Sequence, residues 1–177
     1  MSTTPTVVAL SGNPRPGSRT RAVAERVAAR VADDLDAGEP AVIDLAEVAE
    51  EIFSPEHPRA DAASATVSGA RVLIVATPTY KATYTGLLKS FLDLYGNNGL
   101  AGVVAVPLQV AGNPAHLLAA EVHLRPLLVE LGAEVPTRAL VLTEAQLPEL
   151  DAVIDAWLEA NGAALRGAAA RRERSLA

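Results

Sequence analysis

Cysteine is absent from the 177-residue sequence, and aromatic residues make up only 3% of it. Without cysteine the chain has no disulfide framework, no thiolate nucleophile and no cysteine metal site, which is compatible with a reducing cytoplasm. Half of the residues are apolar. Because aromatic rings are scarce, the core must be built mainly from Val, Leu, Ala and Ile, and at this length one core in one domain is sufficient.

Basic charge and long apolar runs are also lacking. The formal net charge is −6, so the chain has no electrostatic footprint for nucleic acid. No apolar stretch approaches the roughly 20 residues of a membrane-spanning helix, and the first apolar run reaches a polar loop at Ser11 without a basic segment before it. We therefore expect a cytoplasmic protein with neither nucleic acid nor membrane as a partner.

Short β-branched runs alternate with segments of helical period, which is typical of βαβ units around a parallel sheet. The runs predict strands at residues 6–10, 40–45, 71–76, 102–108 and 138–142. Helices are expected after the loop 11–20 and at 59–69, 84–95, 115–131 and 147–165, with a frayed tail at 171–177 following a domain over 1–170. Pro126 removes a backbone donor from the fourth helix, so a kink or bulge is expected at Val122.

Five strands and five helices are compatible with an α/β fold whose parallel sheet has the doubly wound order 2-1-3-4-5. In that order the ligand crevice lies beyond the carboxyl ends of the strands, around strands 1 and 3. Three loops are therefore candidates for the site.

The first loop, SGNPRPGSRT at residues 11–20, has the composition of a phosphate site. It supplies hydroxyl groups, two arginines and glycines that permit close backbone approach, at the start of a helix whose dipole attracts anions. A capped strand-to-helix turn with solvated arginines is the alternative. The loop lacks the Lys-Ser/Thr pair of a nucleotide triphosphatase and the G-x-G-x-x-G of a dinucleotide site.

The second and third loops follow strands 3 and 4. Pro78 fixes the backbone after strand 3, so that Tyr80 is either a packing plug or a stacking surface for a flat ring, and Lys81 either a ligand contact or an ordinary surface lysine. In the third loop Gly112 permits close approach to a ligand, while Asn113 and His116 are candidates to cap the following helix. No metal-ligand spacing and no Ser, His and Asp set is gathered at the crevice.

Taken together, SGNPRPGSRT, ATPTYKATYTGLLKSFLDL and AGNPAHLLAAEVHLRPLL resemble the NADPH-dependent FMN reductase family, and in particular the flavin reductases of two-component alkanesulfonate-type monooxygenase systems. The resemblance implies a flavodoxin-like three-layer sandwich that binds FMN and uses NADPH or NADH. It assigns the FMN phosphate to Ser11, Arg15, Ser18, Arg19 and Thr20. It assigns the isoalloxazine ring to Pro78, Thr79, Tyr80 and Lys81, and one edge of that ring to Ala111, Gly112 and Asn113.

The resemblance also implies the activity, in which a hydride passes from NAD(P)H to FMN and the reduced flavin serves a partner monooxygenase. The cofactor carries this chemistry, so no general acid or base is assigned. The alternatives are a quinone or azo reductase that retains FMN, and a flavodoxin-type electron carrier. In the sulfonate-system reductases the fourth helix carries an extra aromatic or imidazole residue where this chain has Val122. We expect a homodimer or homotetramer built partly on the third and fourth helices, with His123 near the interface, because their apolar residues exceed one face.

Overall fold

The structure, a computed structural model, describes residues 6–176, and the side chains of residues 6–174. One five-stranded parallel sheet has the order β2-β1-β3-β4-β5. The strands are β1 (Val7–Ser11), β2 (Ala41–Asp44), β3 (Val72–Pro78), β4 (Val104–Ala111) and β5 (Leu140–Thr143). The predicted strand order is confirmed, and each strand lies within about three residues of its predicted position.

Two apolar layers hold the helices against the sheet. The helices are α1 (Arg19–Asp34), α2 (Pro58–Gly69), α3 (Gly86–Leu92), α4 (Arg125–Glu130) and α5 (Leu150–Leu176). Side chains of α1 and α5 share one buried cluster with alternate residues of β1, β3 and β4, and those of α2, α3 and α4 share the cluster on the opposite face. This three-layer arrangement is the predicted flavodoxin-like sandwich.

The fourth predicted helix is interrupted rather than continuous. A 3₁₀ turn at Pro114–His116 is followed by a π-helix at Ala120–Leu124, which leads into α4. The predicted bulge at Val122 is thus confirmed, because Pro126 has no N–H to donate to the carbonyl of Val122 and the chain widens by one residue.

An ion pair anchors the π-helix to the segment before β5. Glu121 accepts hydrogen bonds from Arg125 and from the Ala139 N–H (2.7 Å), and Arg125 also donates to the carbonyls of Val135 and Thr137. The Arg125 guanidinium is the main cause that lowers the pKa of Glu121. Side-chain hydrogen bonds of Glu121 and Arg125 therefore hold the π-helix to the segment before β5.

Helix bounds account for the other differences from the predictions. The third helix is shorter than the expected 84–95, because Thr85 is its N-cap and Asp93 its C-cap. The prediction that the last helix ends at 165 is wrong, since α5 continues through an Ala- and Arg-rich stretch to Leu176. Position 170, where the domain was expected to end, therefore lies within this helix. Beyond it, Arg171 pairs with Glu134, and Glu173 with Arg71 (3.1 Å). Among residues 6–176, no helix is both long and apolar enough to cross a membrane.

Candidate functional site

A cavity of about 420 Å³ opens at the carboxyl edge of the sheet, where the three predicted loops meet. This size lies within the range of small-molecule and cofactor sites. It is lined by Asn13, Arg15, Pro16, Ser18, Arg19, Thr20, Pro78, Tyr80, Val110 and Glu144. Loops one and two, which are far apart in the sequence, therefore contribute to one cavity.

Loop one is fixed by its own asparagine. The Asn13 side chain is buried; its Oδ1 accepts the Arg15 N–H (3.0 Å), and its Nδ2 donates to Thr20 Oγ1 (3.2 Å). This turn, of the kind that Asn makes with the backbone two residues on, fastens the loop to the first turn of α1. The side chain of Ser18 caps that helix by accepting the Arg21 N–H (3.2 Å).

The start of α1 has the donors that an anion requires. The N–H groups of Arg19 and Thr20 belong to the first turn and have no acceptor within the helix, and the helix dipole is positive there. The exposed Arg15 and Arg19 add two positive charges to the cavity wall, and Arg19 Nη2 lies 3.0 Å from Glu144 Oε1. Arg15 forms no ion pair with another residue in the described part of the chain.

Ser11, also predicted to contact phosphate, lies below the cavity rather than on its wall. It is fully buried at the end of β1, and its Oγ has no hydrogen-bond partner among the described residues. Alternation along the strand places it on the same face as Ala9, which α1 covers. A contact between this hydroxyl and a ligand would need the loop above it to shift.

Loop two presents an aromatic ring at the cavity. Tyr80 and Thr83 exchange backbone hydrogen bonds (2.9 and 3.2 Å), and the two residues between them, Lys81 and Ala82, have φ values of 51° and 64°. Such a turn is unusual without glycine. Tyr80 is 40% exposed and lines the cavity together with Pro78. Lys81 is exposed and lies outside the lining.

Thr79 connects loop two to β4. Its N–H donates to the Val110 carbonyl (3.0 Å), and Gln109 Nε2 donates to its Oγ1 (2.6 Å). The side chain of Thr79 is therefore already engaged by the protein, although the residue directly precedes the aromatic ring. It does not line the cavity.

A second connection joins loop one to the start of α3. Thr85 Oγ1 donates to the Gly12 carbonyl (2.5 Å) and accepts the Leu88 N–H (3.1 Å). A Cβ at position 12 would lie 2.7 Å from Leu88 Cβ, so only glycine fits this approach without movement. Loops one and two are consequently held to each other by buried contacts.

The third predicted loop, 109–114, reaches the cavity only through Val110. Ala111 is fully buried, Gly112 and Asn113 are exposed, and the cavity wall is reached instead by Val110. Asn113 Oδ1 accepts the Ala115 N–H (2.9 Å), which confirms its predicted role as the cap of the following turn. The structure thus brings together the predicted residues Arg15, Ser18, Arg19, Thr20, Pro78 and Tyr80, and leaves the others outside the lining.

Four lining residues were not predicted. Asn13 and Pro16 belong to the predicted loop, and an Asn before a proline is itself a turn signal. Val110 belongs to the third predicted loop, 109–114, but the structure places it in β4, directly before the last strand residue, Ala111. Glu144 follows β5, whose carboxyl end meets the same edge of the sheet, so the rule that selected the other loops also applies to it.

Comparisons with known proteins identify the family of the chain. The profile of the NADPH-dependent FMN reductase family matches residues 5–146. An NADH-dependent FMN reductase of Pseudomonas putida, SfnE, is 36% identical over 132 residues, which cover 72% of this chain and 70% of that protein. An FMN reductase (NADPH) of Escherichia coli is 52% identical over 62 residues, but these span only 35% of this chain and 32% of that protein.

A solved structure extends the likeness to three dimensions. The apo form of an NADH:FMN oxidoreductase (EMOB) superposes with a TM-score of 0.75 at 32% identity, covering 87% of this chain and 88% of that one. The cavity has features that suit the two ends of FMN, namely free helix N–H groups and arginines for a phosphate, and a proline and an aromatic ring for a flat heterocycle. The chain belongs to the NADPH-dependent FMN reductase family, flavodoxin-like oxidoreductases that act on FMN with NADPH or NADH.

Proposed function

We propose that this chain reduces FMN with NADPH or NADH and supplies the reduced flavin to a separate flavin-dependent monooxygenase in the cytoplasm. The observation that carries the proposal is that Arg15, Ser18, Arg19 and Thr20 at the start of α1 line the same cavity as Pro78 and Tyr80. Family membership and the names of the relatives support the reductase activity.

The FMN phosphate is assigned to the first turn of α1. Arg15 and Arg19 supply charge-assisted hydrogen bonds, Ser18 and Thr20 supply hydroxyl and backbone donors, and Ser11 lies behind them. The phosphate replaces Glu144 as the anion nearest Arg19. This end of the site selects FMN over flavins that lack a phosphate.

The isoalloxazine ring is assigned to the opposite side of the cavity. Pro78 and Tyr80 form its platform, with Thr79 and Lys81 beside them and Ala111, Gly112 and Asn113 near one edge. Bound FMN supplies the hydride-accepting ring, and so no side chain of the protein is assigned as a general acid or base. The task of the protein is to bind the flavin and to leave one of its faces open to the nicotinamide.

An exchangeable flavin fits this cavity better than a permanently bound one. Arg15, Pro16 and Arg19 are exposed, as are Tyr80 and Glu144. Much of the wall is thus in contact with solvent, and a ligand there is less enclosed than in a site that buries most of its cofactor. This exposure favours delivery of reduced FMN over the retained FMN of a quinone or azo reductase.

A homodimer or homotetramer belongs to the same proposal. In this structure the apolar residues of α3 pack against the core, whereas Leu118, Val122 and Val129 around the π-helix are 72%, 60% and 54% exposed. A second copy would cover these side chains and His123, which is also exposed. Light scattering at micromolar concentration should report a multiple of the monomer mass, and a monomer would contradict this assembly.

Steady-state kinetics test the activity. NADPH and NADH oxidation is followed with FMN and with riboflavin as acceptors, and the purified protein is inspected for bound flavin. We expect FMN-dependent oxidation, a lower KM for FMN than for riboflavin, and a nearly colourless protein. A yellow protein that reduces quinones without added FMN would support the retained-flavin alternative, and the absence of oxidation with either nucleotide would refute the proposal.

A further inference from the structure

A buried carboxylate lies beneath loop one and has no part in the function proposed above. Asp44 is the last residue of β2 and pairs in register with Ser11 of β1. The residue is 5% exposed, and its side chain only 1%. Because desolvation of a carboxylate is costly, its position requires compensating contacts.

The compensating hydrogen bonds to Asp44 come from backbone N–H groups, one of them in loop one. Asp44 Oδ2 accepts the Gly17 N–H (3.2 Å), and its Oδ1 accepts the Ala46 N–H (3.3 Å). Arg21 Nε lies 3.8 Å from Oδ2, too far for a hydrogen bond but close enough for charge attraction. Both carboxylate oxygens are therefore in use, one of them by loop one.

Gly17 is the point at which the loop turns into α1. Its φ is +61°, a left-handed conformation that favours glycine, and it directly precedes the N-cap Ser18. Pro14 and Pro16 have no N–H, so the backbone donors between residues 14 and 17 are those of Arg15, which Asn13 accepts, and of Gly17, which Asp44 accepts. The hydrogen bond from Gly17 to Asp44 fixes the direction in which Ser18, Arg19 and Thr20 enter the helix.

We propose that Asp44 is a positioning residue for the flavin phosphate, acting through Gly17 to aim the first-turn N–H groups of α1 at it. The inference rests on the proposed phosphate site in loop one. Asp44 does not touch the phosphate, and its negative charge by itself opposes an anion bound nearby. Positioning and charge therefore predict opposite effects when the carboxylate is removed.

The test compares dissociation constants for FMN and riboflavin, measured by quenching of flavin fluorescence, in the wild type, Asp44→Asn and Asp44→Ala. An asparagine has one acceptor oxygen and cannot serve both N–H groups. We expect the FMN dissociation constant to rise about tenfold or more in both variants, as for loss of a hydrogen bond to a charged group, while that for riboflavin changes less than twofold. Asp61→Asn is the matched control, because it removes the same charge from an exposed site on α2.

Three outcomes would overturn the inference. Tighter FMN binding in the Asp44 variants would show that the carboxylate acts only through its charge. An equal loss for both flavins would show a general structural role, and unchanged FMN affinity would show no role. A wild type that binds FMN and riboflavin equally would refute the phosphate site itself, and the inference with it.

A double-mutant cycle covers the case in which Asp44→Ala does not fold. Gly17→Ala places a Cβ in open space but strains the left-handed backbone. If Asp44 acts through Gly17, the losses of FMN affinity in Gly17→Ala and Asp44→Asn should be less than additive in the double variant. Fully additive losses would contradict the proposed connection.

Discussion

Arg19 at the start of α1 and Glu144 after β5 form an ion pair within the wall of the cavity, with Arg19 Nη2 3.0 Å from Glu144 Oε1. Both side chains are largely exposed, so the pair contributes on the order of 0–1 kcal/mol. The ion pair matters because Glu144 would compete with a ligand for Arg19. A ligand phosphate must take Arg19 from a carboxylate that lines the same cavity.

Glu144→Gln should therefore bind FMN more tightly. Loss of the competing charge is expected to lower the FMN dissociation constant by roughly two- to fivefold, and the effect should shrink as salt is added. Fluorescence titration at two ionic strengths measures it. Glu149→Gln serves as a control, because it removes the same charge from the same 3₁₀ segment outside the cavity lining; weaker binding in Glu144→Gln would contradict the competition.

Arg15→Ala should weaken FMN binding by about 1.5–3 kcal/mol, the contribution of a charge-assisted hydrogen bond, and leave riboflavin binding unchanged. Titration with both flavins gives the comparison. Arg138→Ala is a matched control, since Arg138 is exposed and precedes β5 at the opposite edge of the sheet. A parallel loss for riboflavin would argue against a phosphate contact.

Replacement of the aromatic ring should affect both flavins alike. Tyr80→Ala is expected to weaken the binding of FMN and of riboflavin by about 0.5–1.5 kcal/mol, the contribution of a stacked ring. Tyr80→Phe keeps the ring and should keep the affinity for both flavins. The thermal midpoint should not change, because the loop is held by backbone hydrogen bonds. If Tyr80→Ala lowered the thermal midpoint and spared binding, the ring would be a packing plug.

The turn of loop two should become more stable with glycine. Ala82 has a φ of +64°, which costs a non-glycine residue roughly 1–2 kcal/mol, more than the entropy that glycine adds to the unfolded chain. Ala82→Gly is therefore expected to raise the free energy of unfolding by about 0.5–1 kcal/mol in urea titrations. The same substitution at the exposed helical Ala152 should lower it by about 1 kcal/mol. A lower free energy of unfolding in both variants would contradict the inference that Ala82 is strained.

Glu121 should stabilise the fold in a pH-dependent way. Its pKa is lowered in the folded state, chiefly by the hydrogen bond from Arg125, so its contribution is present above the ordinary glutamate pKa of about 4.3 and is lost as the pH falls through the lowered value. Glu121→Gln should therefore unfold more easily than the wild type at neutral pH, and the difference should narrow in acid. Glu130→Gln, at an exposed site on α4, is the control for removal of a glutamate charge.

The strand order and the interrupted fourth helix were predictable because each follows from local features. Buried β-branched runs separated by helices leave few topologies, and Pro126 removes a specific hydrogen bond. The length of α5 was not predictable from apolar periodicity, since its last turns depend on Ala and Arg propensity and on ion pairs to Glu134 and Arg71. Those partners lie far away in the sequence.

Only some of the residues that line the cavity could be predicted from the sequence, for a related reason. Composition identified loop one, but periodicity does not show that Asn13 turns inward or that Lys81 points away from the lining. Glu144 reaches the wall beside Arg19, which is distant in the sequence, and this proximity is a property of the assembled layers. The roles of the predicted site residues in flavin binding remain predictions.

The close approach of Gly12 to Leu88 also sets the distance between the two sides of the cavity. Together with the hydrogen bond from Thr85 to the Gly12 carbonyl, this contact holds loop one and loop two at a set distance above the paired strands β1 and β3. In the proposed site, a bound flavin would span the distance between these two loops. A larger group at position 12 would force Leu88 or loop one to move, and would so change the distance between the two loops without touching a ligand.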